Sequence, residues 1–363
     1  MGERLGSLED LGMNEFWGGK RVLVTGHTGF KGSWLSLWLT EFGATVHGLA
    51  LPPATTPALF DQLDLASSVD HFVGDVRNAK LVADRIGRVE PDVIFHLAAQ
   101  PLVRRSYAEP LQTWETNVMG TVHVLEALRS LDNLCAVVVI TTDKVYQNRE
   151  WLHAYRETDR LGGHDPYSSS KSAAELAVGS WRSSFFTDSS GIRVASARAG
   201  NVIGGGDWAA DRVVPDLVRA LTAGEPVQVR NPGSVRPWQH VLEPLSGYLL
   251  LAEHLYLSSS VLLQDAFNFG PGVDGFRSVG DLVAECLRWW PGEWEASGAV
   301  GGPHEAGLLA LATEKAHSLL GWQPRLSFAE GVKQTISWYA LDRSSIRDAC
   351  LHQIKGYGLL TGS

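Results

Sequence analysis

Arg21-Val22-Leu23-Val24-Thr25-Gly26-His27-Thr28-Gly29-Phe30-Lys31-Gly32-Ser33-Trp34-Leu35-Ser36-Leu37-Trp38-Leu39 is the stretch that decides the fold. Its first five residues make a short apolar run that reads as a buried strand. Glycines follow at every third position, and an apolar helical run then continues until Gly43 closes it. Strand, glycine loop and helix in that order are what a dinucleotide pyrophosphate needs. Glycine lets the backbone turn tightly and approach the phosphates, which sit on the unsatisfied N–H groups of the helix N-terminus. A tight turn with no ligand uses the same residues, but the flanking strand and helix favour a cofactor. Gly26, Thr28, Gly29, Phe30 and Gly32 are the loop residues assigned to it.

Composition sets the limits around this start. A chain of 363 residues, 44% hydrophobic and 20% charged, suits a globular protein with one large domain or two interleaved lobes. A formal charge of −9 and a pI near 5.7 argue against nucleic acid as the main partner. An anionic ligand must then be met by local basic groups or by backbone N–H groups. Cys135, Cys286 and Cys350 are far apart and lack metal-ligand spacing, so no metal is expected and a reducing compartment fits. Two read as core residues and the third as part of the tail. Glu3, Arg4, Glu9 and Asp10 interrupt any apolar signal region. No run of ~18 apolar residues offers a membrane span. The expectation is a cytoplasmic protein with residues 1–13 as a loose arm.

Beyond the loop, residues 44–50 read as a second strand, followed by Leu51-Pro52-Pro53 where an NAD site commonly has an acid for the ribose hydroxyls. The next basic residue is Arg77, so nothing nearby would hold a 2′-phosphate, and NAD is favoured over NADP. Further strands are expected over 91–97, 135–140 and 194–198, with helices over 113–130, 278–290 and a closing one over 328–340. The apolar run Cys135-Ala136-Val137-Val138-Val139-Ile140 leads into Thr141-Thr142-Asp143-Lys144, and catalytic groups commonly sit just past such strand ends. Tyr167 and Lys171 stand four apart, on one face of a helix. His96 reads as a packed strand residue.

The G-x-x-G-x-x-G spacing, Val73-Gly74-Asp75-Val76-Arg77 and Tyr167-x-x-x-Lys171 resemble the extended short-chain dehydrogenase/reductase family. Arg236-Pro237-Trp238-Gln239-His240-Val241-Leu242-Glu243-Pro244, with Gly26 to Trp34, Ala98 to Pro101 and Thr141 to Tyr146, resembles its CDP-glucose 4,6-dehydratase branch, over about 14–339. The resemblance implies an α/β fold: a Rossmann-type doubly wound parallel sheet with a smaller C-terminal α/β lobe for the substrate. It divides the chain into an NAD-binding part, 14–200 with about 239–270, and a sugar-nucleotide part, about 201–238 and 271–345. Asp75 and Val76 would flank the adenine, and Leu97, Ala98 and Ala99 would lie against the cofactor. As plain structure, Asp75 could instead cap the helix that follows.

The implied reaction starts at the hexose C4. An unperturbed phenol titrates near ~10. A lysine ammonium and the positive nicotinamide would lower that of Tyr167, which takes the C4 hydroxyl proton as hydride leaves for NAD. Lys171 would also hold the cofactor ribose, and Thr142 would orient the C4 oxygen. Asp143 would protonate the departing C6 hydroxyl, given a raised pKa. Lys144 could take the C5 proton if neutral, stabilise the enolate as a cation, or simply pair with Asp143. Gln100, Asn201, Arg212 and Arg236 are the substrate contacts, the two arginines for the diphosphate, although either could be a surface ion pair. A homodimer through 113–130 and 167–185 is implied. The alternatives are another sugar-nucleotide 4,6-dehydratase, a 4-epimerase or decarboxylase using the same Tyr and Lys, and, remotely, a non-catalytic dinucleotide sensor.

Overall fold

The computed structural model describes residues 13–186, 190–297 and 307–359. Most of the expected N-terminal arm, 1–12, lies outside them. Its last residue, Met13, opens a short helix, α1 (Met13–Trp17), which ends on Trp17, fully buried with its ring 6.0 Å from that of Phe95. Burying an indole in the core outweighs the polar character of the preceding residues.

Seven strands form the main sheet: β1 (Arg21–Thr25), β2 (Thr45–Ala50), β3 (Asp70–Val73), β4 (Val93–His96), β5 (Cys135–Ile140), β6 (Ile192–Ala199) and β7 (Ala266–Phe269). Their order is β7-β6-β5-β4-β1-β2-β3, and every neighbouring pair is parallel. The chain steps outward from β1 to β3, then returns to the other side of β1 to place β4. That reversal opens a crevice past the carboxyl ends of β1 and β4, where open α/β sheets bind ligands.

The strands are apolar on both faces because helices cover both. Val22, Val24, Ala136, Val138 and Ile140 face one layer, with α2 (Phe30–Glu41) among its helices. Leu23, Cys135, Val137 and Val139 face the other, which holds α3 (Ala79–Val89), α4 (Gly120–Leu128) and α5 (Pro166–Phe185). A separate apolar cluster joins α6 (Val213–Ala223), α8 (Val279–Trp289) and α9 (Phe328–Tyr339), while α7 (Leu242–Leu257) belongs to the first layer.

The helix expected over 113–130 runs unbroken from Pro110 to Leu128, with a π turn over Glu115–Met119 between Pro110–Trp114 and α4. One expectation changes here. The helix α9 does not close the chain: α10 (Ile346–Leu359) follows and packs on α2. Ile346, Cys350, Ile354 and Tyr357 make its buried stripe, so Cys350 is a core residue and not part of a tail. Their spacing of four, four and three is the helical signal that short polar flanks concealed.

Candidate active site

The carboxyl ends of β1, β4, β5 and β6 deliver four loops to one place. After β1, Gly26 takes φ +75°, and a Cβ there would stand 2.8 Å from Ala98 N; one at Gly32 would stand 2.1 Å from Gly26 O. The turn therefore closes only with glycine, which brings it against the β4 loop. Gly29 is the N-cap of α2, is exposed and offers no side-chain cap, so the first-turn N–H groups remain for a ligand. Thr28 Oγ1 donates to Leu51 O at 2.8 Å, which fastens the loop to the end of β2 in place of an acid. Phe30, Leu97, Ala98 and Ala99 are half-buried around this cradle. Asp75 accepts from Arg77 N at 2.9 Å and pairs with its guanidinium, so its carboxylate makes a local turn; Asn78, not Asp75, caps α3. Val76 is buried. This cradle, with its bare helix terminus, fits a dinucleotide pyrophosphate.

From β4, His96 is buried between Thr25 Oγ1 at 2.8 Å and Thr121 Oγ1 at 3.1 Å, and burial lowers its pKa to about 3. It is a packed strand residue. Gln100 differs from expectation. Its amide donates to Leu102 O and Thr113 Oγ1 and accepts from Leu102 N, so the side chain is spent inside the protein and does not face a substrate. The π turn explains another contact: it rotates Asn117 inward, where it accepts from Gln100 N at 2.8 Å and donates to Ser170 Oγ at 2.9 Å. That bond couples the β4 loop to α5.

From β5, Thr142 leaves in extended conformation and caps the single turn Asp143–Val145. Its hydroxyl donates to Asp143 Oδ1 at 2.9 Å and also lowers the pKa of the Tyr167 phenol by hydrogen bonding. One hydroxyl proton can serve only one of these at a time. Asp143 is 2% exposed, and its Oδ2 has no hydrogen-bond partner among the described residues. Burial raises its pKa, against the charges of Lys144, Arg236 and Lys31 and the Thr142 bond. Lys144 is half-buried beside it. Gly200, at the exit of β6, is what makes room: a Cβ there would lie 2.9 Å from Asp143 Oδ2 and 2.7 Å from Pro237 Cγ.

Tyr167 and Lys171 lie on α5, whose first turn is fixed by Pro166 at N1 and by Asp165, which accepts from Ser168 N and Ser168 Oγ. Both are almost fully buried. Lys171 Nζ donates to Ile140 O at 3.1 Å, and burial lowers its pKa to about 8. The phenol is not lowered in the chain by itself: burial pushes it up to about 12, with Thr142 and Arg212 opposing.

Asn201 is half-buried past β6 and its carbonyl accepts from Gln239 N. Arg212 pairs with buried Asp207 at 2.7 Å and its charge reaches Tyr167 and Lys31. Arg236 is 9% exposed, donates to Val235 O and Gly307 O, and acts on Asp143. Neither arginine is a simple surface ion pair. Sequence reasoning missed Lys31, whose Nζ lies 3.5 Å from the buried Tyr248 hydroxyl. Burial lowers it to about 7, with Arg212 and Lys171 pushing the same way and Asp143 and Asp207 opposing. A lysine inside an apolar glycine-loop helix was the available signal.

The family model described as GDP-mannose 4,6 dehydratase matches residues 23–268. The CDP-glucose 4,6-dehydratase of Salmonella typhimurium is 48% identical over 330 residues, 89% of this chain and 91% of that protein. The dTDP-glucose 4,6-dehydratase of Streptomyces antibioticus is 30% identical over 349 residues, covering 89% and 93%. Among solved structures, the dTDP-glucose 4,6-dehydratase of Streptomyces venezuelae, solved with NAD bound, superposes with a TM-score of 0.75 at 24% identity, covering 90% of this chain and 99% of that one. The Tyr167-x-x-x-Lys171 pair on α5, a glycine cradle at the switch point and this match across most of the sequence lead to one conclusion: the chain belongs to the GDP-mannose 4,6 dehydratase family, among the extended short-chain dehydrogenases/reductases.

Proposed function

We propose that this chain is an NAD-dependent hydro-lyase that converts CDP-D-glucose to CDP-4-dehydro-6-deoxy-D-glucose. The observation that carries the reading is Asp143: a buried carboxyl with a raised pKa and an unpartnered oxygen, one residue from the hydroxyl that also meets the Tyr167 phenol. Chemistry confined to C4 needs no second acid there. Losing water across C5–C6 does.

Gly26, Thr28, Gly29, Phe30 and Gly32 hold the pyrophosphate of NAD, with Asp75, Val76, Leu97, Ala98 and Ala99 along the rest of the cofactor. NAD there supplies a reversible acceptor for the C4 hydride, which later returns to C6. Tyr167 removes the C4 hydroxyl proton, and Lys171 supplies the positive charge that favours the phenolate. Thr142 orients the C4 oxygen. The C4 ketone acidifies the C5 proton, Asp143 gives its own proton to the departing C6 hydroxyl, and Lys144 serves the enolate side. Arg212, Arg236 and Asn201 receive the sugar nucleotide. Residues 14–200 with about 239–270 make the NAD half and about 201–238 with 271–345 the sugar-nucleotide half.

Leu111, Met119, Leu176 and Phe185 are exposed apolar residues on the 110–128 segment and α5, and they support a homodimer packed through these helices, which sedimentation analysis tests. Among the described residues no helix is long and apolar enough to cross a membrane. The enzyme works in the cytoplasm, where sugar nucleotides are made.

Incubation with NAD and, in parallel, CDP-, dTDP-, UDP- and GDP-glucose, followed by product mass, tests the reaction. Loss of water from the CDP sugar is expected. An unchanged mass with an inverted C4 would make the chain an epimerase, and dehydration of a different nucleotide would move the specificity.

A further inference from the structure

Two consecutive residues at the end of β5 are gripped by two consecutive turns of α5. Lys171 Nζ donates to Ile140 O at 3.1 Å, and the Thr141 hydroxyl donates to Glu175 Oε1 one turn farther along. Thr142 and Asp143 come next in the chain, so the two contacts set where the acid leaves the sheet. The far side of Glu175 is held just as firmly. Arg198 on β6 donates Nε to Oε1 at 3.0 Å and Nη2 to Oε2 at 2.9 Å, and Ser196 Oγ donates to Oε2 at 2.7 Å. Arg198 Nη1 then bonds the Tyr146 hydroxyl at 2.8 Å and Glu157 O at 3.1 Å. Tyr146 donates to Asn268 Oδ1 at 2.7 Å on β7. Every side chain in this truss is buried.

We propose that Glu175 is a positioning residue for the reaction: its carboxylate holds the Thr141–Asp143 exit in register with α5 and keeps the Lys171 ammonium charged beside the phenol. The role rests on the hydride chemistry proposed above for Tyr167 and Lys171. No mechanistic step consumes Glu175, since both of its oxygens are occupied by donors. The truss exceeds what a structural ion pair needs, because one of its donors belongs to the residue before Thr142. Burial would raise the Glu175 pKa, but Arg198, Thr141 and Ser196 outweigh it, so the carboxylate stays ionised. For Lys171 the opposing influences are burial, which lowers, and Glu175, which raises. The other titratable groups facing Lys171 are Lys31 at the start of α2 and His96 on β4.

The direction of the effect follows. Removing the negative charge lowers the Lys171 pKa below its value of about 8. Lys171 is then still an ammonium near pH 6 but neutral near pH 8.5. A drop of one unit gives a roughly tenfold loss of the charged form well above the pKa and almost none below it. Single-turnover NADH absorbance, read from pH 6 to 8.5, should show Glu175→Gln close to the parent at the acid end and roughly tenfold slower at the alkaline end. The Gln carbonyl can still accept from Thr141, so the register is kept; a uniform loss at every pH would mean that the Lys171 charge does not depend on the carboxylate and would overturn the proposal. If Glu175→Gln strands Arg198 and fails to fold, Glu175→Gln/Arg198→Met removes both charges and should show the same alkaline loss. Competitive acetylation of Lys171 in the cofactor-free protein gives a readout independent of turnover: its reactivity should rise at lower pH in the variant, and an unchanged titration would overturn the proposal. A parent chain that forms no NADH with any sugar nucleotide would fail the reaction, not the Glu175–Lys171 coupling, which the acetylation titration decides by itself.

Discussion

Asp143 and Glu175 are both carboxyls, both nearly fully buried, and both lie against the end of β5, yet they are held in opposite states. Glu175 has both oxygens occupied, by Arg198, Thr141 and Ser196, and its pKa is lowered. Asp143 receives one hydrogen bond, keeps an unpartnered oxygen, and its pKa is raised. Burial acts the same way on each. The difference is the supply of donors, and in particular a guanidinium whose planar fork matches a carboxylate. One acid is thereby made permanent structure, and the other is shifted by burial toward its protonated form.

The sharpest way to break the contrast is to take the proton from Asp143. Asp143→Asn should cut dehydration by about 100- to 10,000-fold, while single-turnover absorbance still records NADH from C4 oxidation. Dehydration at the parent rate would remove Asp143 from the mechanism. The same variant should gain stability. A group whose folded pKa is raised above its unfolded value of about 3.9 costs the parent stability as pH rises through that window, and Asn carries no such cost. Denaturant melts at pH 4 and pH 7 should therefore show the variant's advantage growing with pH. Glu175, with its lowered pKa, has the opposite sign: its stabilisation is present above its unfolded pKa and is lost as pH falls through the folded one.

Next in size is the guanidinium. Arg198→Met leaves Glu175 buried without its charge partner, and breaking such a pair costs about 3–5 kcal/mol. Chemical denaturation measures it. Converting both residues, Glu175→Gln with Arg198→Met, should recover most of that loss, since two neutral side chains need no mutual compensation. If the double variant is as unstable as the single one, the Arg198 contribution comes from Tyr146 and Glu157 and not from Glu175.

These two carboxyls also mark how far the sequence could be read. The sheet, the cradle and the Tyr167–Lys171 pair were legible because each is a local pattern: continuous apolar strands, glycines three apart, two groups one helical turn apart. Asp143 was legible by its place after an apolar strand. Glu175 was not, although it stands four residues past Lys171 on the same helix face, because its meaning depends on Arg198 arriving from a different strand. Gln100 was misread for the reverse reason: its partners Leu102 and Thr113 turn it inward, and the second of these is set by a helix containing a π turn. The Tyr167 phenol shows the same limit. Adjacency to Lys171 predicted a lowered pKa, while burial, which sequence does not display, raises it to about 12.

A subtler perturbation enlarges a neighbour of the Asp143 carboxyl. Gly200→Ala places a methyl 2.9 Å from Oδ2 and 2.7 Å from Pro237 Cγ, so side chains must shift. Overpacking of this kind costs about 1–3 kcal/mol, and displacing an acid slightly from its target slows the step by up to about 100-fold. The loss should fall on water elimination and leave NADH formation from C4 nearly intact. Equal loss in both would mean that Gly200 supports the whole β5–β6 exit and not the acid alone.

The smallest change probes the seam between the two carboxyls. Thr141→Val keeps the β-branched shape at the strand end but removes one donor to Glu175, for a cost of about 1.5 kcal/mol, since the lost bond is to a charged group. Arg198 and Ser196 still hold the carboxylate, so Lys171 should titrate as in the parent. Thr142, no longer tied through its neighbour to α5, loses some of its register with the phenol. C4 oxidation should therefore slow severalfold at all pH values, with no alkaline steepening. Thr141→Ser, which restores the hydroxyl, should restore the rate. An alkaline steepening in Thr141→Val would show instead that the Thr141 bond helps fix the Glu175 carboxylate in the place from which it keeps Lys171 charged, and that the coupling depends on every bond in the truss.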